Sequence, residues 1–365
     1  MKKNMQNYKI EELLCENATM NHIPINAILE LTPHCNMNCA MCYVRLSPKE
    51  SSELGGIHSI EEWKSIAKQM HDAGTLFVLL TGGEPLLYPG FQELYLYLQQ
   101  LGMIITINTN GTLIDEKWAD FFEQHKPRRI NITIYGKDSD AYKRLCNYAD
   151  GYDKAVNAIQ LLKERHVDVK VNGSATVFNE NDCEKIIELA ETLQVPWKID
   201  TYMYPASRER KAHFDESTRL TPSEAAKLRT ELMKRRNYDF KEMAKDFLEK
   251  AKNAISEIDE NNTISCRAGR SSFAINWQGY MRPCILVTQP EIPVFSSDFR
   301  TAWEQIVKET AMIRLSSKCS TCAMRDVCQT CPACALLETG SYQGTPQYMC
   351  NYTNATIQYL EESIL

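Results

Sequence analysis

The 365-residue chain has no excess of basic charge: 41 lysines and arginines stand against 47 aspartates and glutamates, a formal −6. That balance excludes the strongly basic surface of a dedicated nucleic-acid binder. Long hydrophobic runs are missing too. The longest, Leu76-Phe77-Val78-Leu79-Leu80, is far too short to cross a bilayer. The opening stretch, MKKNMQNYKIEELLCEN, turns polar and acidic at once and holds no apolar segment of the kind a secretory signal needs. No internal repeat or low-complexity tract is evident. With 44% hydrophobic and 24% charged residues, the composition is that of a folded chain rather than a disordered one. These absences predict a cytoplasmic globular protein that binds neither membrane nor nucleic acid.

What the sequence does have is cysteine, fourteen in all. Disulfides are disfavoured in a reducing cytosol, so clustered cysteines there read as metal or catalytic sites. Cys35, Cys39 and Cys42 lie together, and eight more lie between Cys266 and Cys350. Cys15, Cys146 and Cys183 stand alone and read as small buried hydrophobes. The clustered set suits one three-cysteine site and two four-cysteine sites.

From residue 25 to about 205, short apolar runs alternate with amphipathic stretches. Ile25–Leu31, Thr75–Leu80, Met103–Thr109, Arg129–Tyr135, Val167–Val177 and Val195–Tyr202 read as strands. Ser59–Ala73, Phe91–Leu101, Asp115–His125, Tyr152–Arg165 and Asp182–Leu193 read as helices, the first opened by a Ser59/Glu62 capping box. Six βα units predict an α/β fold with a parallel sheet, too few strands for a closed eight-stranded barrel, hence a partial (βα)6 barrel. Chemistry in such sheets collects at the carboxyl ends of the strands. The first 24 residues form an N-terminal extension. Residues 206–262 read as a helical connector that starts at Thr221-Pro222, breaks near Asn237 and runs to about Glu260. Residues 263–350 form a cysteine-rich module with a hairpin around Trp277-Gln278-Gly279-Tyr280, poor in apolar periodicity and in need of metal for stability. Residues 351–365 close the chain as a helix.

The first cluster, Cys35-Asn-Met-Asn-Cys39-Ala-Met-Cys42, directly follows a strand. Three thiolates on a tight loop can hold three irons of a [4Fe–4S] cube and leave the fourth open, with a zinc site or accidental spacing as the plain alternative. Gly82-Gly83-Glu84-Pro85 follows at the end of the next strand, then Thr109-Asn110-Gly111-Thr112 and Ile132-Thr133-Ile134-Tyr135-Gly136 at successive strand ends. Together these resemble the radical S-adenosylmethionine (SAM) superfamily, whose signature is C-x3-C-x-φ-C with Met41 here at φ. The resemblance implies that SAM chelates the unique iron. It gives Tyr43, Gly82, Gly83, Asn110 and Thr133 as SAM contacts, Glu84 as partner of the SAM ammonium, and Arg144 as a basic residue near its carboxylate, a solvated helix arginine being the equal alternative for the last. Tyr135 departs from the family's Asp. Asp200, on the last strand, either faces the barrel interior or caps a turn.

The C-terminal cysteines resemble the SPASM module, which holds two auxiliary [4Fe–4S] clusters and brings the total to three. The resemblance gives Cys319, Cys322, Cys328 and Cys350 to the outer cluster. It gives Cys266, Cys284 and one or both of Cys331 and Cys334 to the inner one. Cys328-x2-Cys331-x2-Cys334 replaces the family's C-x3-C step, and four thiolates being the usual complement of a cube, both are taken as ligands.

SPASM relatives act largely on peptides, which implies an oxidoreductase that forms a 5′-deoxyadenosyl radical and cross-links a ribosomally made peptide through a C–S or C–C bond. Implied partners are the precursor peptide and an electron donor such as flavodoxin or ferredoxin. With about 24 residues before the first strand, leader recognition is expected from a separate leader-binding protein or from the catalytic domain, or the substrate is not a leader peptide at all. Ile285 after Cys284, where sulfatase-maturing relatives carry Asp, argues against formylglycine formation. The rival readings are a radical SAM dehydrogenase of a small alcohol or sugar and, more remotely, a non-catalytic iron–sulfur or zinc interaction protein.

Overall fold

A computed structural model describes residues 2–205, 208, 218–252, 264 and 266–365. Six parallel strands follow the expected order: β1 (Asn26–Glu30), β2 (Phe77–Thr81), β3 (Ile104–Thr109), β4 (Arg129–Thr133), β5 (Val169–Ser174) and β6 (Trp197–Asp200). Burial alternates along β2 and β4, as one face packs on helices and the other turns to the barrel interior. The outer helices Ile60–Asp72, Phe91–Gln100, Glu116–Gln124, Gly151–Glu164 and Cys183–Thr192 cover the sheet with one continuous core that includes Trp63, Tyr95, Phe122 and Leu162. The Ser59 capping box forms as expected: Glu62 N–H donates to Ser59 Oγ at 3.3 Å, and Ser59 N–H donates to Glu62 Oε2 at 2.8 Å.

Beyond β6 the structure departs from a barrel followed by a separate module. Strand β7 (Ser272–Ile275) pairs in parallel with β1, in register Asn26 with Ser272 through Leu29 with Ile275. The expected hairpin is real, formed by β7 and β8 (Tyr280–Arg282), and with β9 (Ile292–Pro293) it extends the barrel sheet to nine strands in the order β6-β5-β4-β3-β2-β1-β7-β8-β9. Much of the cysteine-rich region therefore shares the barrel's core. The low apolar periodicity read for that region does not hold at helix Phe299–Thr310, where Phe299, Ala302, Trp303 and Ile306 make a buried stripe capped by Asp298. The N-terminal extension is helical over Lys2–Met20 and is tied down by the Arg128–Glu11 ion pair at 2.8 Å and by Thr19 and Ser271 hydroxyls 2.7 Å apart. Helix Ser139–Cys146, unforeseen from periodicity, starts at the Asp138 cap and is too short to show a repeat.

Helices Pro222–Arg236 and Phe240–Lys252 flank the expected break at Asn237, and the former opens with a Thr221/Glu224 capping box. The rest of the expected connector, from 206 to 217 apart from Arg208 and from 253 to 263, lies outside the described residues. The final helix, Gln347–Ile364, packs along Pro222–Arg236 and against the open side of the sheet, where Tyr352 and Thr201 hydroxyls stand 2.7 Å apart. Among the described residues no helix is long and apolar enough to cross a membrane.

The β7–β8 turn needs Gly279. Its φ is +81°, and a Cβ there would sit 2.3 Å from the Phe295 ring and 2.6 Å from His58. Gly279→Ala is expected to destabilise the fold by about 2 kcal/mol, read as a lowered Tm in thermal unfolding. An unchanged Tm would show that the turn relaxes freely.

Candidate active site

The carboxyl ends of β1 to β6 open into one cavity of 970 Å³. The loop after β1 brings Cys35, Cys39 and Cys42 to its wall, together with Met37, Met41 and Tyr43. Backbone contacts to the helix Ser139–Cys146 hold this loop: Asn38 N–H donates to Cys146 O and Ala40 N–H to Leu145 O, both at 2.9 Å. Cys146 itself is buried, as are Cys15 and Cys183, in keeping with their reading as small hydrophobes.

Gly82 and Gly83 pack against the cysteine loop itself. Gly83 N–H donates to Thr32 O at 2.6 Å and Glu84 N–H to His34 O at 2.7 Å. A Cβ on Gly83 would lie 2.3 Å from His34 O, so this contact requires glycine. Glu84 corrects its reading as an ammonium partner. Its carboxylate is wholly buried and does not line the cavity. It accepts from Thr109 Oγ1 and Asn110 N–H, both at 2.8 Å, and from Leu86 N–H at 3.1 Å. Burial pushes this carboxyl up to about 7 against the pull of those donors. Glu84 thus fastens the 109–112 turn to the cysteine loop.

Asn110 lines the cavity, but its side chain is already engaged. Nδ2 donates to Asn36 Oδ1 at 2.9 Å and to Cys35 Sγ at 3.7 Å, while Oδ1 accepts from Thr112 N–H at 2.9 Å. Thr133 lies at the end of β4 on the same wall, and Tyr135 stands beside Cys39, Cys35 and Cys42. Tyr43 carries the Arg208 guanidinium 5.2 Å from its ring centre, and Arg208 pairs with buried Glu30 at 2.7 Å. Arg144 is exposed on its helix and does not line the cavity, which fits the solvated helix arginine weighed beside the SAM role. Asp200 lines the mouth, paired with Lys198 at 2.6 Å.

All fourteen cysteines are free thiols. Burial, Glu84 and the neighbouring Cys39 and Cys42 push the Cys35 thiol far above its ordinary range, so ionising the trio requires a cation among them. Cys319 is raised by burial and by Cys350, Cys328 and Cys322, and Cys284 by burial and by Cys331 and Cys266. Among the described residues no three His, Cys, Asp or Glu side chains already converge as a closed metal-binding group. The donor sets suit iron–sulfur clusters: soft sulfurs in threes and fours, several already accepting N–H groups, such as Cys35 from Met37 at 3.4 Å and Cys42 from Arg45 at 3.3 Å.

The opposite wall comes from residues that the motifs did not single out. Tyr202 and Tyr204, at the end of β6, line the cavity and reach Cys334 Sγ at 3.1 Å and Cys331 Sγ at 3.5 Å. Their i, i+2 spacing beyond a strand was the available signal. Arg229, Met233 and Arg236 from helix Pro222–Arg236 complete this wall.

Residues 29–193 match the family model of the Radical SAM superfamily. The chain is 24% identical over 350 residues to an AdoMet-dependent heme synthase of Methanosarcina barkeri, covering 91% of this chain and 98% of that one. It is 25% identical over 339 residues to the antilisterial bacteriocin subtilosin biosynthesis protein AlbA of Bacillus subtilis, covering 90% and 71%. The crystal structure of Streptococcus suis SuiB shares the fold with a TM-score of 0.69 at 18% identity, over 96% of this chain and 87% of that one. The three-cysteine loop, the glycine contact that anchors it and the partial barrel around them carry that likeness, and residues 29–193 are a radical SAM domain, of the kind that works with S-adenosylmethionine and an iron–sulfur cluster.

Proposed function

We propose that this enzyme oxidatively cross-links a ribosomally made precursor peptide. The observation that carries the reading is the two-sided cavity: the Cys35/Cys39/Cys42 loop forms one wall, and the Tyr202–Tyr204 wall leads straight to the C-terminal cysteines. A peptide side chain held between them meets a hydrogen-abstracting centre on one side and an electron acceptor on the other. The likeness to AlbA supports a peptide, as does the capture of SuiB with its precursor peptide SuiA. The heme synthase likeness favours a second reading, a small carboxylate-bearing substrate, for which Arg229 and Arg236 on the cavity wall are suited.

In this reading Cys35, Cys39 and Cys42 hold the SAM-binding cluster. Cys319, Cys322, Cys328 and Cys350 hold an outer auxiliary cluster, and Cys266 and Cys284, with Cys331 and Cys334 beside them, the inner one. The bound SAM and its cluster supply a carbon radical able to take hydrogen from an unactivated C–H bond. The chain's own residues orient and shield. Tyr43, Gly82, Gly83, Asn110 and Thr133 line the space beside the cysteine loop where SAM binds. Glu84 and Thr109 keep the 109–112 turn, and with it Asn110, fixed against Asn36. Tyr135, Met37 and Met41 cover the loop and keep water from it. A flavodoxin or ferredoxin supplies the electron.

Anaerobically reconstituted enzyme with SAM and dithionite is expected to release 5′-deoxyadenosine and to remove two hydrogen atoms from its precursor peptide, read by mass spectrometry. Turnover of a tetrapyrrole with no change in any peptide would favour the second reading instead. Cys35→Ala, Cys39→Ala and Cys42→Ala should each abolish 5′-deoxyadenosine formation while iron stays bound to the C-terminal module. Persistent cleavage in any one of them would refute the assignment. Glu84→Ala strips a buried acceptor from three donors, which costs about 1–3 kcal/mol. SAM affinity should fall roughly ten- to a hundredfold, with Glu84→Gln intermediate. Isothermal titration that finds the alanine variant binding like the parent would remove that role.

A further inference from the structure

Helix Pro222–Arg236 turns one face to the cavity: Arg229, Leu232, Met233 and Arg236 follow at i, i+3, i+4 and i+7, and all four line it. The two arginines are engaged differently. Arg236 donates through Nη2 to Trp197 O at 3.1 Å and lies 4.4 Å from the Trp197 ring centre. Arg229 has only rings beside its guanidinium, with the Tyr352 centre 5.3 Å away and the Phe247 centre 5.6 Å away. Tyr352 lines the cavity as well, and the Thr201 hydroxyl 2.7 Å from its own fixes it there. Burial raises the Tyr352 phenol, and the Arg229 charge beside it pulls the other way. The two rings hold the guanidinium in place at the cavity wall.

What Arg229 lacks is an anion. Its Nη1 is shielded from water and meets no acceptor. Among the described residues no carboxylate pairs with it, whereas Arg235 on the same helix meets Glu184 at 3.0 Å and Glu191 at 2.6 Å. Asp200 is the one acidic side chain among the described residues that line the cavity, and Lys198 holds it at 2.6 Å. Among those residues two guanidiniums therefore face the cavity with no acid left to balance them. An arginine cannot relieve such an imbalance by losing its proton. A desolvated donor without an acceptor is costly, and an anion entering the cavity removes that cost.

We propose that Arg229 is a specificity-determining residue and binds a carboxylate of the substrate, the side chain of an aspartate or glutamate in the peptide segment that enters the cavity. The planar fork of a guanidinium matches a carboxylate in shape and in charge. The proposal rests on the reading of the substrate as a peptide. SAM carries a carboxylate too, but in that reading it binds beside the cysteine loop, on the opposite wall. Held at Arg229, an acidic side chain sets the depth and register of the peptide between the two walls. Hydrogen abstraction from one chosen C–H bond requires that degree of positioning.

The test is equilibrium dialysis with the reconstituted full chain and SAM, without reductant, so that nothing turns over. The probes are blocked tripeptides with glutamate or aspartate between two glycines, and their glutamine and asparagine twins. The better acidic peptide should bind about tenfold more tightly than its amide twin. Arg229→Gln and Arg229→Met should each bring the pair within about twofold. The methionine variant keeps a stem between the two rings should glutamine fail to fold, and Arg229→Lys should restore part of the preference. An arginine that only packs between Phe247 and Tyr352 would, when replaced, weaken acid and amide alike. That result, an acid preference that survives in both uncharged variants, or no preference in the parent, overturns the proposal. So does a parallel fall in SAM affinity, which would assign the guanidinium to SAM. No preference among the peptides, joined to Arg229-dependent binding of mesoporphyrin, a dicarboxylate that is no peptide, would overturn the peptide reading as well. Failure of the proposal alone leaves that reading to its own readout, the loss of two hydrogen atoms from a peptide.

Discussion

Strand β1 is the element on which everything else hangs, because it is paired in parallel on both sides, to β2 and to β7. The cysteine loop leaves its carboxyl end, so the position of that loop is set by two ladders rather than one. On the β2 side, Gly83 and Glu84 bond the backbone of Thr32 and His34. On the β7 side, the strand leads into the hairpin that runs out toward Cys284. The cysteine loop and the cavity-lining Ile285 and Leu286 beyond the hairpin are therefore referred to the same five residues. A rigid origin of this kind suits chemistry in which a misplacement of about an ångström is costly.

Most of the barrel was legible because its signals are local. Apolar runs of strand length alternated with helices, and caps such as Ser59/Glu62 and Thr221/Glu224 marked boundaries that the structure keeps. The cysteine loop and the GGEP turn were legible as motifs, since loop spacing survives without knowledge of the fold. What stayed hidden depends on long-range partners. No local pattern says that Ser272 lies beside Asn26, so the cysteine-rich region read as a module apart. Glu84 was recognisable as a site residue, but its direction was not: whether a carboxylate faces a cavity or a neighbouring turn depends on where Thr109 and Asn110 arrive. Arg144 was ambiguous for a simpler reason, because the short helix that carries it shows no repeat from which its face could be read.

The far wall shows how buried polarity is kept satisfied. Arg219 is buried between Tyr202 and Tyr348, at 5.6 and 4.0 Å from their ring centres, and its charge is met by Glu338. Burying such a pair gains little net stability, while breaking it leaves an uncompensated charge. Its effect is to specify geometry. Tyr202 is held from three sides, by Glu338, by Cys334 and by the ring of Tyr204 4.9 Å away, and its face toward the cavity is fixed accordingly.

The pairing of β1 with β7 also has a cost during synthesis. One edge of β1 has no partner until the chain beyond residue 270 has emerged from the ribosome, so the growing barrel carries an open strand edge for most of its translation. Such an edge invites pairing with other chains, and contacts so distant in sequence form slowly. The nascent protein is thus most vulnerable to aggregation before its last quarter is made, and a truncation that removes that quarter would strip the barrel of a strand as well as the C-terminal cysteines.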